Sequence, residues 1–161
     1  MPELEAQKHL AAALGRIPSG LFIVTCRKGQ FETGMLASWV QQCSFEPPQV
    51  SMAVKKNRPL LSWLEPGQIF TINILDESQT DMIVHFGRGF GLNEAAFANL
   101  QVERPGQGGP ILPDCLAYLH VRVEGRMPAG DHELIVGEVL EGRLQGESPP
   151  MVHVRKSGMH Y

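Results

Sequence analysis

Residues 33–48, TGMLASWVQQCSFEPP, decide how the rest of this 161-residue chain is read. The stretch opens on Thr33-Gly34 and small residues, carries one large aromatic, Trp39, and closes on Pro47-Pro48. Its apolar and polar positions keep neither a 3.6-residue period nor a clean alternation, which excludes an ordinary amphipathic helix. Thr33, Ser38, Gln41, Gln42 and Ser44 set hydroxyls and amides beside backbone that Gly34, Ala37 and Ser38 leave open to close approach by a ligand. The pattern predicts a strand feeding a wall that receives something flat with polar edges.

Working outward, Gly20–Cys26 (GLFIVTC), Gln49–Val54 (QVSMAV) and Ile69–Leu75 (IFTINIL) are rich in β-branched and aromatic residues and predict strands. Leu116–Met127 alternates, with Ala117, Leu119, Val121 and Val123 on one face and Tyr118, His120, Arg122 and Glu124 on the other. A turn at Pro128–Asp131 joins it to a hairpin strand over Glu133–Leu140, and Met151–Val154 predicts a last strand. Helix signals are fewer. They mark an opening helix with Leu10 and Leu14 on one face and Pro18 beyond it, and a short one started by Pro59. Others mark Gln79–Phe86 and a short helical piece through Glu94–Leu100. Pro105–Pro113, rich in Gly and Pro, reads as a surface loop. Many short strands with peripheral helices predict a mainly β fold, a barrel or sandwich, because helices do not alternate with strands as a doubly wound sheet requires. One domain over 1–161 is expected, a helix at 1–15 preceding a β body at 16–161.

Net charge is −3 and charged residues make up 19% of the chain, so no basic surface argues for nucleic acid. The longest apolar runs are far too short for a membrane span, and the N-terminal residues have no signal-peptide core, so a cytoplasmic protein is expected. Three widely spaced cysteines, Cys26, Cys43 and Cys115, suit small buried hydrophobes, Cys43 being best placed to touch a ligand. The histidines show no metal-ligand spacing, and no metal site is expected. Gly87, Gly89 and Gly91 follow a predicted helix rather than a strand, so they lack the dinucleotide-fold context. No nucleophile elbow or phosphate-binding P-loop is present.

Two constellations carry chemistry. Lys55-Lys56-Asn57-Arg58 stands just before Pro59 and one strand after the Ser- and Gln-rich wall, where it is either a phosphate cradle or a solvated basic loop. Gly130-Asp131-His132 sits at the hairpin tip, where Asp131 either serves the turn or fixes a His132 tautomer that faces a pocket. Trp39 and Trp63 fit either ring stacking or core packing.

Taken in order, TGMLASWVQQCSFEPPQVSMAV, KKNRP, GQIFTINIL and GDHELIVGEV resemble the flavin reductase-like family of FMN-binding split β-barrels, over roughly Arg16–Tyr161. ASWVQQCSFEPP, LPDCLAYL, GDH and RKSGMHY are most similar to the C-terminal flavin reductase module of cyanobacterial flavodiiron proteins. The resemblance implies a Greek-key split barrel and a homodimer with FMN, or FAD, in a groove near the interface. It implies that Thr33, Met35, Leu36, Ala37, Ser38 and Trp39 flank the flavin, and that Ser38 and the segment Gln41–Ser44, with Cys43 and Ser44, reach its ribityl chain and phosphate. Lys55, Lys56, Asn57 and Arg58 would hold the phosphate, while His85, Phe86 and Gly87 border the site and Tyr161 closes it. His132 would serve the nicotinamide side, with NADH or NADPH as reductant, and Asn73 would satisfy buried backbone. Flavin would carry the hydride chemistry, which explains the absence of any catalytic triad. The implied activity is an NAD(P)H:flavin oxidoreductase passing electrons to free flavin, a redox-protein partner or oxygen. The alternatives are a non-catalytic FMN-binding electron-transfer protein and a structural barrel binding some other small molecule or peptide.

Overall fold

The computed structural model describes every residue, 1–161. Seven strands are formed by β1 Phe22–Lys28, β2 Phe31–Ala37, β3 Val40–Phe45, β4 Pro48–Lys55, β5 Ile69–Ile74, β6 Ala117–Ala129 and β7 His132–Leu144. Two α-helices, α1 Pro2–Leu14 and α2 Thr80–Gly87, and a 3₁₀ turn at Pro59–Trp63 complete the elements. All pairings are antiparallel, in the order β2-β1-β5-β6-β7-β4-β3.

That order fixes the shape. β2 and β3 are the two outermost strands, yet only Ser38 and Trp39 separate them in sequence. A flat sheet of this width would hold them about 29 Å apart at ~4.8 Å per strand. Two intervening residues can reach only about 11 Å. The sheet must therefore curl until its edges meet, and Ala53 N–H donates to the Trp39 carbonyl at the meeting point, 3.0 Å away. Beyond that contact β2 and β4 are not paired with each other, leaving a split between them.

β1 is buried on both faces, which is why its sequence is nearly continuous in apolar residues. Val24 and Cys26 point into the barrel with Met52, Val54, Phe70, Ile72, Val121 and Ile135. Ile23 points outward into a second core, where Leu75, Phe86, Phe90, Phe97, Leu112 and Cys115 pack. Burial pushes the Cys26 and Cys115 thiols up to about 12, so both behave as inert hydrophobes.

Several expectations need correction. Glu94–Leu100 forms turns rather than a helix: Phe97 is drawn into the outer core and Asn99 takes a positive φ of 65° that ends any helical run. Met151–Val154 is not a strand: within it only the isolated bridge of His153 to Ser19 forms, with a second, Asp76 to Pro150, just before it. The 105–113 segment is not a surface loop throughout, since Gly109–Leu112 are buried. It straps the outer face of β1, β5 and β6, and therefore buries Tyr118 and His120 as well as the inward face of β6. Helix α1 forms as expected, with Leu10 and Leu14 exposed and no residue of the helix buried.

Candidate functional site

The split between β2 and β4 opens a cleft of about 260 Å³. Met35, Leu36, Ala37 and Ser38 form one wall, and Ala53, Val54 and Lys55 the other. Ile83, Phe86 and Gly87 of α2 close one side, with Leu21, Arg58, His153 and Tyr161 completing the rim. The cleft sits where the two cores meet: Met35 belongs to the barrel interior, while Leu36 and Phe86 belong to the outer layer. Apolar walls with cations at one end suit a flat ligand carrying an anionic tail.

The electrostatics are local. Although the chain carries −3, the cleft and its annex gather Lys55, Arg58 and Arg155 against the single carboxylate of Asp131. Neither Lys55 nor Arg58 makes a side-chain hydrogen bond or salt bridge within the chain, and the Arg58 guanidinium lies 5.7 Å above the Tyr161 ring. Their donors are free for an anion, and the start of the 3₁₀ turn at Pro59 lies beside them.

A second recess of about 180 Å³ adjoins the cleft, lined by Trp39, Lys55, Asp131, His132, Arg155 and the segment Gly158–Tyr161. The β6–β7 hairpin delivers His132 there through the turn at Gly130, whose φ of 62° suits glycine. His132 is only 7% exposed. Its Nδ1 lies 2.7 Å from Asp131 Oδ1 and its Nε2 lies 2.6 Å from the Tyr161 hydroxyl. Trp39 packs on His132 at 4.7 Å and on Tyr161 at 5.6 Å between ring centroids, with Arg155 over the Trp39 face. The His132 hydrogen bond holds the Asp131 carboxyl below the usual carboxylate range. Burial raises the Tyr161 phenol above its ordinary value, against the opposing pull of Arg58.

Of the residues singled out in the sequence, the structure brings Met35, Leu36, Ala37, Ser38, Lys55, Arg58, Phe86, Gly87 and Tyr161 to the cleft, and Trp39 and His132 to the recess. It does not bring the others. Thr33 is buried and donates to the Gly91 carbonyl. His85 is turned away, its Nε2–H donating to Ala96 O at 2.7 Å. Lys56 and Asn57 are exposed on the turn. Cys43 and Ser44 lie on edge strand β3, lining a separate shallow depression, and Cys43 is exposed rather than buried. Gly34 leaves room for the chain itself: a Cβ there would meet Phe86 at 2.9 Å and Phe97 at 3.3 Å. Leu21, Ala53, Val54, Ile83, His153 and Arg155 were missed. Only Arg155, within RKSGMHY, carried a signal that could have found it.

Residues 14–160 match the flavin reductase like domain, and the chain belongs to that family. Among curated relatives, diflavin flavoprotein A 1 of the cyanobacterium Synechocystis sp. is 40% identical over 94% of this chain. The chain spans 27% of that relative's length, about a quarter. The NADH:FAD oxidoreductase SgcE6 of Streptomyces globisporus superposes with a TM-score of 0.82 at 23% identity, covering 96% of this chain and 90% of the other. The flavin reductase HpaC, solved with NADP+, gives 0.76 at 24% identity, over 97% and 95% of the two chains. These two likenesses establish the split-barrel fold. The cleft fits a flavin on its own terms, since two cations without internal partners stand at the end of an apolar slot.

Proposed function

We propose that this chain is an NAD(P)H-dependent flavin reductase holding FMN in the split between β2 and β4. The observation that carries the reading is the cleft itself, with apolar walls, free Lys55 and Arg58 at its rim, and an ordered His132 in the adjoining recess. A bound flavin would supply the two-electron chemistry. Met35, Leu36 and Phe86 would sandwich its ring and exclude water, Lys55 and Arg58 would hold its phosphate, and the recess beside Trp39 and His132 would seat the nicotinamide. FAD would need room for an adenylate beyond the basic rim. Three free cysteines suit a reducing compartment, in keeping with a cytoplasmic protein, and no helix is long and apolar enough to cross a membrane.

A homodimer paired along β3 is part of this reading. That edge strand has exposed side chains at Gln41–Cys43, and Phe45 is 89% exposed. Sedimentation of the purified chain tests it, a monomer at micromolar concentration counting against it. The much greater length of the curated relative favours a second reading, in which the module chiefly hands electrons to or from a redox partner. Anaerobic mixing of the FMN-loaded protein with NADH and with NADPH separates the two. Rapid bleaching supports the reductase, and a flavin that stays oxidised leaves the electron-transfer reading. His132→Ala should slow bleaching by about 10- to 100-fold while FMN affinity holds; an unchanged rate removes His132 from the site.

A further inference from the structure

Tyr161 is shared by the walls of the cleft and of the recess, and its hydroxyl bonds His132 of the recess. The direction of that bond follows from the partner on the other ring nitrogen. The ionised Asp131 carboxylate can only accept, so His132 Nδ1 carries the proton and donates to it. In that tautomer Nε2 offers a lone pair, and the Tyr161 O–H donates to it across 2.6 Å. The acceptor that would read a ligand's N–H group is thereby taken by the chain's own phenol.

We propose that Tyr161 is a positioning residue that masks His132 Nε2, and that a ligand bearing a carboxamide N–H donor, the nicotinamide headgroup, displaces it to reach the same lone pair. The proposal rests on the reductase reading given above. The tail is built for such an exchange. Upstream it is tied down, Arg155 N–H donating to the Gly15 carbonyl and Gly158 N–H to the Ala11 carbonyl. The backbone N–H groups of His160 and Tyr161 have no partner within the chain, and Tyr161 as a residue is 57% exposed. Swinging the ring outward costs the His132 bond and its contacts with Trp39 and Arg58, and no sheet or helix pairing. Asp131 holds the Nδ1–H tautomer, in which Nε2 presents an acceptor to whatever arrives.

Tyr161→Phe keeps the ring and removes only the hydroxyl. Long-range proton–nitrogen NMR of the flavin-free full chain should show His132 as the Nδ1–H tautomer. In the variant only the Nε2 resonance should move, toward that of a free acceptor. With FMN loaded, NAD+ or NADP+ should bind the variant about 2- to 12-fold more tightly, the net worth of one hydrogen bond. An Nε2–H tautomer, an Nε2 resonance indifferent to the substitution, or nicotinamide affinity equal to or weaker than wild type would overturn the proposal. If neither nucleotide binds either protein, the masking falls together with the reductase reading. If both proteins bind alike, the masking falls alone.

Discussion

Under the strap formed by residues 108–112, Thr25, Thr71, Asn73 and His120 are all bonded to the chain itself, whereas at the split the Ser38, Lys55 and Arg58 side chains make no hydrogen bond or salt bridge within it. Thr25 donates to the Pro110 carbonyl, and Asn73 bonds Ile23, Pro110 and Leu112 backbone. Thr71 joins Gly109 to His120 Nδ1. No buried side-chain nitrogen or oxygen lacks a partner. Both regions combine apolar walls with polar groups. One has closed its polar groups on themselves and can do nothing but hold the strap. The other keeps cations and a hydroxyl in reserve at the edge of an apolar slot, the arrangement left when a ligand completes the bonding.

The contrast is broken most strongly by substitutions on the closed face. Asn73→Ala would orphan the buried Leu112 N–H and two carbonyl bonds, and should cost about 3 kcal/mol in denaturant unfolding. FMN affinity should hold in any preparation that stays folded. Arg58→Ala should act in the opposite sense, raising the FMN dissociation constant by about 10- to 150-fold, the worth of a bond to a charged group. Its stability should stay within about 0.5 kcal/mol of wild type. Equal losses of stability and affinity in either variant would erase the distinction between the two regions.

Two smaller effects sharpen it. Gly34→Ala lies between the regions, and its Cβ would press Phe86, which both fills the outer core and walls the cleft. A loss of about 1–3 kcal/mol is expected, accompanied by weaker flavin binding as Phe86 shifts; stability lost without affinity would show the cleft wall to be independent of the core. Burial holds the His120 imidazole below its ordinary 6.5. Below about that pH the unfolded chain takes up a proton that the folded chain resists. Stability should therefore fall as pH drops from 6.5 toward the folded value and recover above it. His120→Gln should flatten that slope in urea midpoints measured across pH, and an unaltered slope would assign it to other groups.

Much of the fold was legible because it is written in short-range patterns. The alternation in Leu116–Met127 and the dense β-branched runs at Gly20–Cys26 and Ile69–Leu75 demand strands wherever they fall. Asn73 could be read as a backbone partner, and it is one. The Glu94–Leu100 helix failed because packing of Phe97 outweighed local propensity, and the 151–154 strand failed because a strand needs a partner along its length, where this segment has one bridge. Neither competitor is visible in a window of residues.

The site divides the same way. The basic turn and the GDH tip announced themselves as clusters of charge at turn positions, and sequence placed them near the wall formed by Met35–Ser38. It could not tell Arg58, which faces the cleft, from Lys56 and Asn57, which do not, because one step along a turn reverses a side chain's outlook. Nor could it find Ile83 or His153, whose roles come from elements far apart in the chain. By itself the sequence determined most of the strand segments, though not the one expected at Met151–Val154, that the protein is mainly β, and which family it belongs to. Tertiary structure alone decided that β2 and β3, two residues apart, stand at opposite ends of one sheet. The slot exists because two residues cannot span a flat sheet of seven strands, so the edges must come round to meet.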